Sequence, residues 1–219
     1  MSDFQSLWIV GAGGFGREVF GYLRDILQAG QPFLRIAGFL DDVQAGNPDA
    51  LVSLGQEAEG LTVKPIQGFI PSLDDLLVCG LGEPTAKIKV IPPLKAAGAR
   101  FYTAIHPTAS LGANVRLGEG VVIAPLSVIT TNVLVGDFVG FNIASKVGHD
   151  AVIGEYSMLS CNAAVLGYAK LGRGVFMATD ATVLPRATVG DNAIVGVASV
   201  VFKRAPAGKT VFGNPAMPM

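Results

Sequence analysis

From Ile105 to Val201 every sixth residue is large and apolar. The series runs Ile105, Leu111, Leu117, Ile123, Ile129, Val135, Phe141, Val147, Ile153, Leu159, Val165, Leu171, Met177, Val183, Val189, Val195, Val201, seventeen positions without a miss. Two places before each stands a small or β-branched residue, from Thr103 and Ala109 through Ser145 and Ala151 to Ser199. Glycine often follows the large residue, as at Gly112, Gly118, Gly148 and Gly172. A helix repeats every 3.6 residues and a simple strand every two, so neither produces a strict period of six. Repeats of six point to a parallel β-helix, in which three hexads close a triangular coil of eighteen residues. The large residue points inward and stacks on its equivalent one coil away. At about 4.8 Å per stacked strand, a little over five coils make a prism roughly 25 Å long.

The N-terminal half has another pattern. An apolar run, Leu7–Val10, meets a glycine turn, Gly11, Gly13 and Gly16 in G-x-G-x-x-G spacing, and then an amphipathic helical stretch. "RIAGFLDD" reads as a second strand ending in Asp41 and Asp42, and "LLVCG" as a third ending at Gly80. This is a Rossmann-like βαβ unit. Its glycines let backbone N–H groups approach a phosphate, and its carboxylates can reach a ribose or base. The motif alone suits NAD, another nucleotide ligand, or a tight strand–helix turn. About 100 residues hold only one mononucleotide half, and no domain for hydride transfer follows. "EPTAKIKVIPPLKAAGA" looks helical, with a break or kink expected at Pro92 and Pro93. Region 43–70 is longer and more irregular. The division expected is an α/β domain over 1–102 and an all-β domain over 103–219.

Composition narrows the function. The chain has 219 residues, a formal net charge of −1, and a mean hydropathy of +0.49. Near-neutral charge argues against nucleic acid or an anionic membrane surface as partner. The charge-free stretch 120–136 is interrupted by Gly, Pro, Ser, Thr and Asn, so it is a poor membrane span; buried prism strands account for the hydropathy instead. No secretory signal is evident, and a cytoplasmic protein is expected. Two cysteines, Cys79 and Cys161, make neither a disulfide framework nor a zinc site, and both read as packing residues. Two histidines in all cannot supply the three imidazole ligands of a prism-type zinc hydro-lyase. No metal is expected.

His149 lies two places after Val147, near the end of a flat side and pointing away from the prism interior. A surface histidine filling a turn is the plain alternative. A neutral imidazole, titrating at about 6.5 when free, can take a proton from an attacking amine near neutral pH. Asp150 could hold the ring and favour the imidazolium that forms. Stacking by eighteen places Gly167 beside His149, where its backbone N–H could face a developing oxyanion. His106 reads as a structural residue opening the first coil, and Asn142 as a turn residue or substrate contact. Cys161 has no histidine near it in the repeat. Lys203, Arg204 and Lys209 suit either a phosphate or a solvated tail.

The hexad array resembles the hexapeptide-repeat acyltransferases, and the closing "VFGNPAMPM" is similar to that family's V-x-G-x-P-A element. With a small βαβ domain carrying G-x-G-G-x-G, then "IHPTA", then the array, nearly the whole chain resembles the bacterial sugar acetyltransferases. These comprise sialic-acid O-acetyltransferases and nucleotide-linked amino-sugar N-acetyltransferases. The resemblance implies a left-handed β-helix, a homotrimer and acetyl-CoA as cosubstrate. It implies a catalytic histidine, His149 followed by acidic Asp150, in a cleft between protomers. By position it points to Met158, Gly167, Thr179 and Val197 for acetyl-CoA. Gly14, Phe15, Gly16, Asp41, Asp42, Gly80 and Gly82 would hold the nucleotide-linked sugar. The activity implied is N-acetylation of a nucleotide-linked amino sugar, of a 4-amino-4,6-dideoxy type, feeding polysaccharide biosynthesis. Sugar or sialic-acid O-acetylation and a non-catalytic nucleotide-binding scaffold are the alternatives. The chain ends "NPAMPM" without the basic residue that commonly follows P-A in the family, which weakens a phosphate contact there.

Overall fold

A computed structural model describes residues 4–31 and 33–219. From residue 104 onward the chain winds into a three-sided prism. Each side is a parallel sheet in which a short strand pairs with the strand eighteen residues later, or sixteen later in the last coil, where Thr188 meets Arg204 and Ile194 meets Thr210. One side stacks Ala104–Ile105, Val122–Ile123, Gly140–Phe141, Met158–Leu159, Phe176–Met177, Ile194–Val195 and Thr210–Phe212. The second runs from Ser110–Leu111 to Val200–Val201, and the third from Arg116–Leu117 to Arg204–Ala205. In every hexad from Ile105 to Val201 the large residue is the last residue of its strand. From Ile123 onward these residues fill the axis, with Phe141, Leu159, Val165, Met177 and Val183 fully buried. Ile105 and Leu111, at the open end, are each 36% exposed because no coil lies beneath them. The strand Met217–Pro218 returns antiparallel to Thr210–Phe212 and closes the other end.

The corners follow one rule. The third residue after each large one takes a left-handed backbone, with φ between +51° and +65° from Asn114 to Ala198. Thirteen of these positions are not glycine. Left-handed φ costs about 1 kcal/mol at a non-glycine residue. Burying the same hexad's large side chain returns about 1.5–3 kcal/mol. Burial wins, so the turn stays in register whatever residue occupies it.

The N-terminal unit is a parallel four-stranded sheet. Its strands are β1 (Gln5–Val10), β2 (Leu34–Leu40), β3 (Thr62–Lys64) and β4 (Asp75–Cys79), in the order β3-β2-β1-β4. Helix α1 (Gly14–Gln28) follows β1 and buries Val19, Phe20, Leu23 and Ile26. Helix α2 (Pro84–Ala96) follows β4. The break expected at Pro92 and Pro93 does not occur, since α2 runs through both. Both prolines are on its exposed side, one turn and a half from its end. The two carbonyls that lose N–H partners there are few, and Ile91 and Leu94 hold the helix by packing.

This unit lies on the prism side that begins with Ala104–Ile105. Ala104, Val122 and Ala124 pack with Val19, Phe20 and Leu23 in one apolar cluster. Phe101 meets Phe138 edge-on at 4.9 Å. His106 is buried and ties the two units together: Nε2 lies 3.0 Å from Asp25 Oδ2 and Nδ1 accepts the Thr108 N–H at 3.1 Å. Asn142 is engaged by Tyr22 at 3.2 Å and Glu18 at 3.3 Å, both from α1. Burial, and then Glu18, push the Tyr22 hydroxyl well above the usual phenol range.

Lys87 on α2 is the largest charged intruder, 1% exposed. Its Nζ donates to the carbonyls of Phe138 at 3.0 Å and Ser157 at 3.1 Å. Burial pushes its pKa down from 10.5 to about 8, partly offset by Cys79 and Glu83. A folded pKa below the unfolded one means that the unfolded chain holds more protons between those values, so this residue's contribution to stability rises with pH across that window. Chemical denaturation of the wild type and Lys87→Met from pH 7.5 to 10.5 is expected to show the wild type gaining relative to the variant as pH rises. A difference that stays constant would mean that Lys87 titrates normally.

Candidate functional site

Two helix N-termini open on one cleft at the carboxyl ends of β1 and β4. A strand order that places β1 between β2 and β4 makes this the switch point of the sheet. Gly13 caps α1 without a side-chain hydrogen bond, and Pro84 opens α2 just after Glu83. The first N–H groups of a helix lack intrahelical acceptors and favour an anion. The cleft holds about 360 Å³ and is lined by Gly14, Phe15, Asp41, Gly80, Gly82 and neighbours. A Cβ on Gly13 or Gly14 would meet nothing within 4 Å, so backbone faces open space there.

Several residues expected here have packing roles, including two that also line the cleft. A Cβ on Gly16 would lie 1.9 Å from the Gly11 carbonyl oxygen, so Gly16 seals α1 against the turn and does not line the cleft. A Cβ on Gly80 would press on Gly16 Cα at 2.9 Å. Asp41 is used by the backbone: Oδ2 accepts the Ala12 N–H at 2.8 Å, and Oδ1 accepts those of Val43 at 2.9 Å and Gln44 at 3.0 Å. It braces the glycine turn from the edge of the cleft. Asp42 faces away, accepts the Gln67 N–H at 2.9 Å, and lines a separate apolar hollow between 66–70 and α2.

His149 stands on the prism edge between the second and third sides, its side chain 58% exposed. Its Nδ1 lies 2.8 Å from Asp150 Oδ2. Asp150 has φ +58°, and the left-handed turn folds its short carboxylate back onto the ring before it. An ionised carboxylate only accepts, so Nδ1 carries the proton, and in the neutral imidazole Nε2 keeps its lone pair. The hydrogen bond to His149, and then that from Asn132, hold the Asp150 carboxyl below the usual carboxylate range despite opposing desolvation. Tyr168 stands edge-on to the imidazole, centroids 5.1 Å apart. Gly167 lies under the ring: a Cβ there would be 2.8 Å from Nε2. The Gly167 N–H donates to no protein acceptor among the described residues. A basic nitrogen and a free N–H thus sit side by side, which suits proton removal beside a carbonyl gaining charge.

The remaining expected residues divide. Thr179 and Val197 are exposed and stack one coil apart. They occupy the edge between the first and second sides, so a whole sheet separates them from His149 in one chain. Met158 is placed differently from the expectation. It is 3% exposed and packs beside Gly140 and Lys87 beneath α2, because the N-terminal unit covers that side of the prism. Cys79 is buried in β4 and Cys161 half-buried. No group of three or more His, Cys, Asp or Glu side chains that could hold a metal ion occurs among the described residues, and no helix among them is long and apolar enough to cross a membrane. No sequence motif marks Asn132 and Tyr168; their spacing of eighteen on either side of Asp150 is the signal that the sequence carries.

No protein-family model and no curated protein match the sequence. Solved structures do. WeeI from Acinetobacter baumannii AYE superposes with a TM-score of 0.85 at 27% identity, over 98% of this chain and 100% of that one. The acetyltransferase domain of PglB from Neisseria gonorrhoeae FA1090 gives 0.85 at 25% identity, over 98% and 100%. PerB from Caulobacter crescentus, crystallised with CoA and GDP-perosamine, gives 0.81 at 25%, over 98% and 97%. The resemblance to the sugar acetyltransferases expected from the sequence is borne out along nearly the whole chain.

Gly167→Ala tests the geometry beside Nε2. The added methyl group has no room unless the imidazole swings away. The expected outcome is a loss of turnover of about 100-fold, as for a small misplacement of a catalytic group. The melting temperature should hold, because position 167 needs no left-handed backbone. Full turnover in this variant would show that the ring need not stay where it is.

Proposed function

We propose that the chain is an acetyl-CoA-dependent N-acetyltransferase acting on the amino group of a nucleotide-linked amino sugar, with His149 as general base. The observation that carries the reading is the His149–Asp150 pair, with Nε2 open beside the free Gly167 N–H, on a fold shared with an acetyltransferase domain and with a CoA and GDP-perosamine complex. The attacking amine forms a bond to the thioester carbonyl carbon. His149 Nε2 takes the amine proton, and the Gly167 N–H faces the oxygen that gains charge. Breakage of the carbon–sulfur bond releases CoA, and the imidazolium returns the proton to the sulfur. Asp150 keeps Nδ1 protonated throughout and stabilises the imidazolium by its charge.

In this reading the α1 and α2 N-termini hold the nucleotide diphosphate. The acceptor is of the 4-amino-4,6-dideoxy type, and its product is destined for polysaccharide. The domains meet at 102/103, the N-terminal one of Rossmann type and the prism left-handed. The protein works as a cytoplasmic homotrimer. A trimer answers the separation of Thr179 and Val197 from His149: one chain's first edge would face the next chain's catalytic edge, with acetyl-CoA between. Exposed Leu126, Val128, Leu134 and Val197 supply apolar surface for such contacts.

Thiol release from acetyl-CoA is measured against UDP-, GDP- and dTDP-linked 4-amino sugars, with wild type and His149→Ala side by side. The expected result is turnover of one sugar nucleotide, lowered about 10²–10⁴-fold in the variant, the range for loss of a general base. Turnover that survives the substitution would remove His149 from the mechanism. Acetylation of sialic-acid hydroxyls, with none of amines, would overturn the N-acetyl assignment.

A further inference from the structure

Five residues spaced by eighteen occupy one edge of the prism: Asn114, Asn132, Asp150, Tyr168 and Arg186. All are left-handed, with φ between +57° and +63°. Backbone bonds lock the column: the N–H groups of Asn132, Asp150, Tyr168 and Arg186 donate to the carbonyls of Ala113, Thr131, His149 and Gly167 at 2.9–3.0 Å. The side chains are therefore held one above another at the coil spacing.

They also touch. Asn114 Nδ2 donates to Asn132 Oδ1 at 3.1 Å, and Asn132 Nδ2 donates to Asp150 Oδ1 at 3.3 Å. The direction of this chain is set from its top. Asp150 only accepts, so Asn132 must present its NH₂ upward, and its oxygen is then free to accept from Asn114. Asp150 Oδ1 takes the Asn132 bond and Oδ2 lies 2.8 Å from His149 Nδ1, while the Tyr168 hydroxyl also favours the ionised carboxylate. On the far side, the Tyr168 ring stands at 89° to the imidazole, and the Arg186 guanidinium covers the Tyr168 face at 4.6 Å. Without these neighbours an exposed histidine beside a short carboxylate would turn freely, and either nitrogen could carry the proton.

We propose that Asn132 and Tyr168 are positioning residues for His149: Asn132 fixes the Asp150 carboxylate, Tyr168 fixes the ring plane, and together they hold the imidazole as the Nδ1–H tautomer with Nε2 free. The proposal rests on the reading of His149 as the base. It assigns the turn column, which otherwise only shapes the corner, a part in choosing the basic nitrogen.

The chain carries only two histidines, which makes the test direct. Long-range ¹H–¹⁵N correlation on histidine-labelled protein reports the tautomer of each. His106 is the internal reference of opposite sense, since its Nδ1 accepts the Thr108 N–H while Nε2 faces Asp25. The wild type is expected to show His149 as Nδ1–H and His106 as Nε2–H. Asn132→Ala and Tyr168→Ala should each move His149 toward the Nε2–H form and leave His106 unchanged, while Tyr168→Phe, which keeps the ring but removes the hydroxyl that favours the Asp150 carboxylate, should retain more of the Nδ1–H form than Tyr168→Ala. Alanine is accommodated at this turn position, because Ala144 and Ala198 occupy it at φ 57° and 51°. With a turned-over substrate in hand, kcat should fall about tenfold in the alanine variants while KM for acetyl-CoA stays within about twofold. A wild-type His149 lacking the Nδ1–H form, alanine variants that keep it, or a shifted tautomer with unchanged kcat would each overturn the proposal. Tautomer shifts in a protein that acetylates no amine would sink the assignment of function and leave the column's role standing.

Discussion

Stacking at a repeat of eighteen residues is the constraint on which the molecule depends. Away from the ends of the prism each inward side chain is covered by its counterpart one coil above and below, so none can leave register without exposing its neighbours. The price is a left-handed residue at every corner, met even by Leu126, Phe138, Tyr156 and Arg186. That cost is small beside the burial it permits. The corner residues are thereby held in straight columns, and their side chains, pointing outward, are free to carry chemistry.

His149 is a product of that arrangement. It lies on the outward turn just before a left-handed residue, where the backbone bends the Asp150 carboxylate back onto the imidazole. Eighteen residues on, Gly167 provides the missing side chain that leaves Nε2 uncovered, and Tyr168 borders the ring. The same column that stiffens the corner supplies the hydrogen bonds that hold the carboxylate. In the proposed mechanism structure and chemistry share residues here, and the absent Cβ at 167 leaves room for the imidazole.

The N-terminal unit contributes by where it sits. Its sheet ends in a cleft fed by two helix N-termini, and it is pinned to one side of the prism by Phe101 against Phe138, by His106 to Asp25, and by Lys87 reaching two prism carbonyls. A buried ammonium without a carboxylate is an expensive contact. It is tolerated because two backbone carbonyls, those of Phe138 and Ser157, accept from the ammonium. The contact fixes α2, and with α2 one wall of the cleft.

The period of six specified the prism by itself, since only a coil of flat sides satisfies seventeen apolar positions in phase. It also placed His149 outward and Gly167 beside it, because stacking by eighteen is a property of the repeat and not of any loop. The glycine turn likewise announced a strand, a tight bend and a helix. What lay beyond the sequence was whatever depends on contacts between units that no period relates. Helix α2 passes through Pro92 and Pro93 because packing at Ile91 and Leu94 outweighs two lost hydrogen bonds. Met158 is covered because the N-terminal unit settles on its side of the prism. Asp41 and Asp42 look equivalent as neighbours in a chain, yet one braces the glycine turn and the other faces a different hollow, since adjacent residues at a strand's end turn to opposite sides. Periodicity reports what repeats along a chain, and only the folded molecule decides what meets across it.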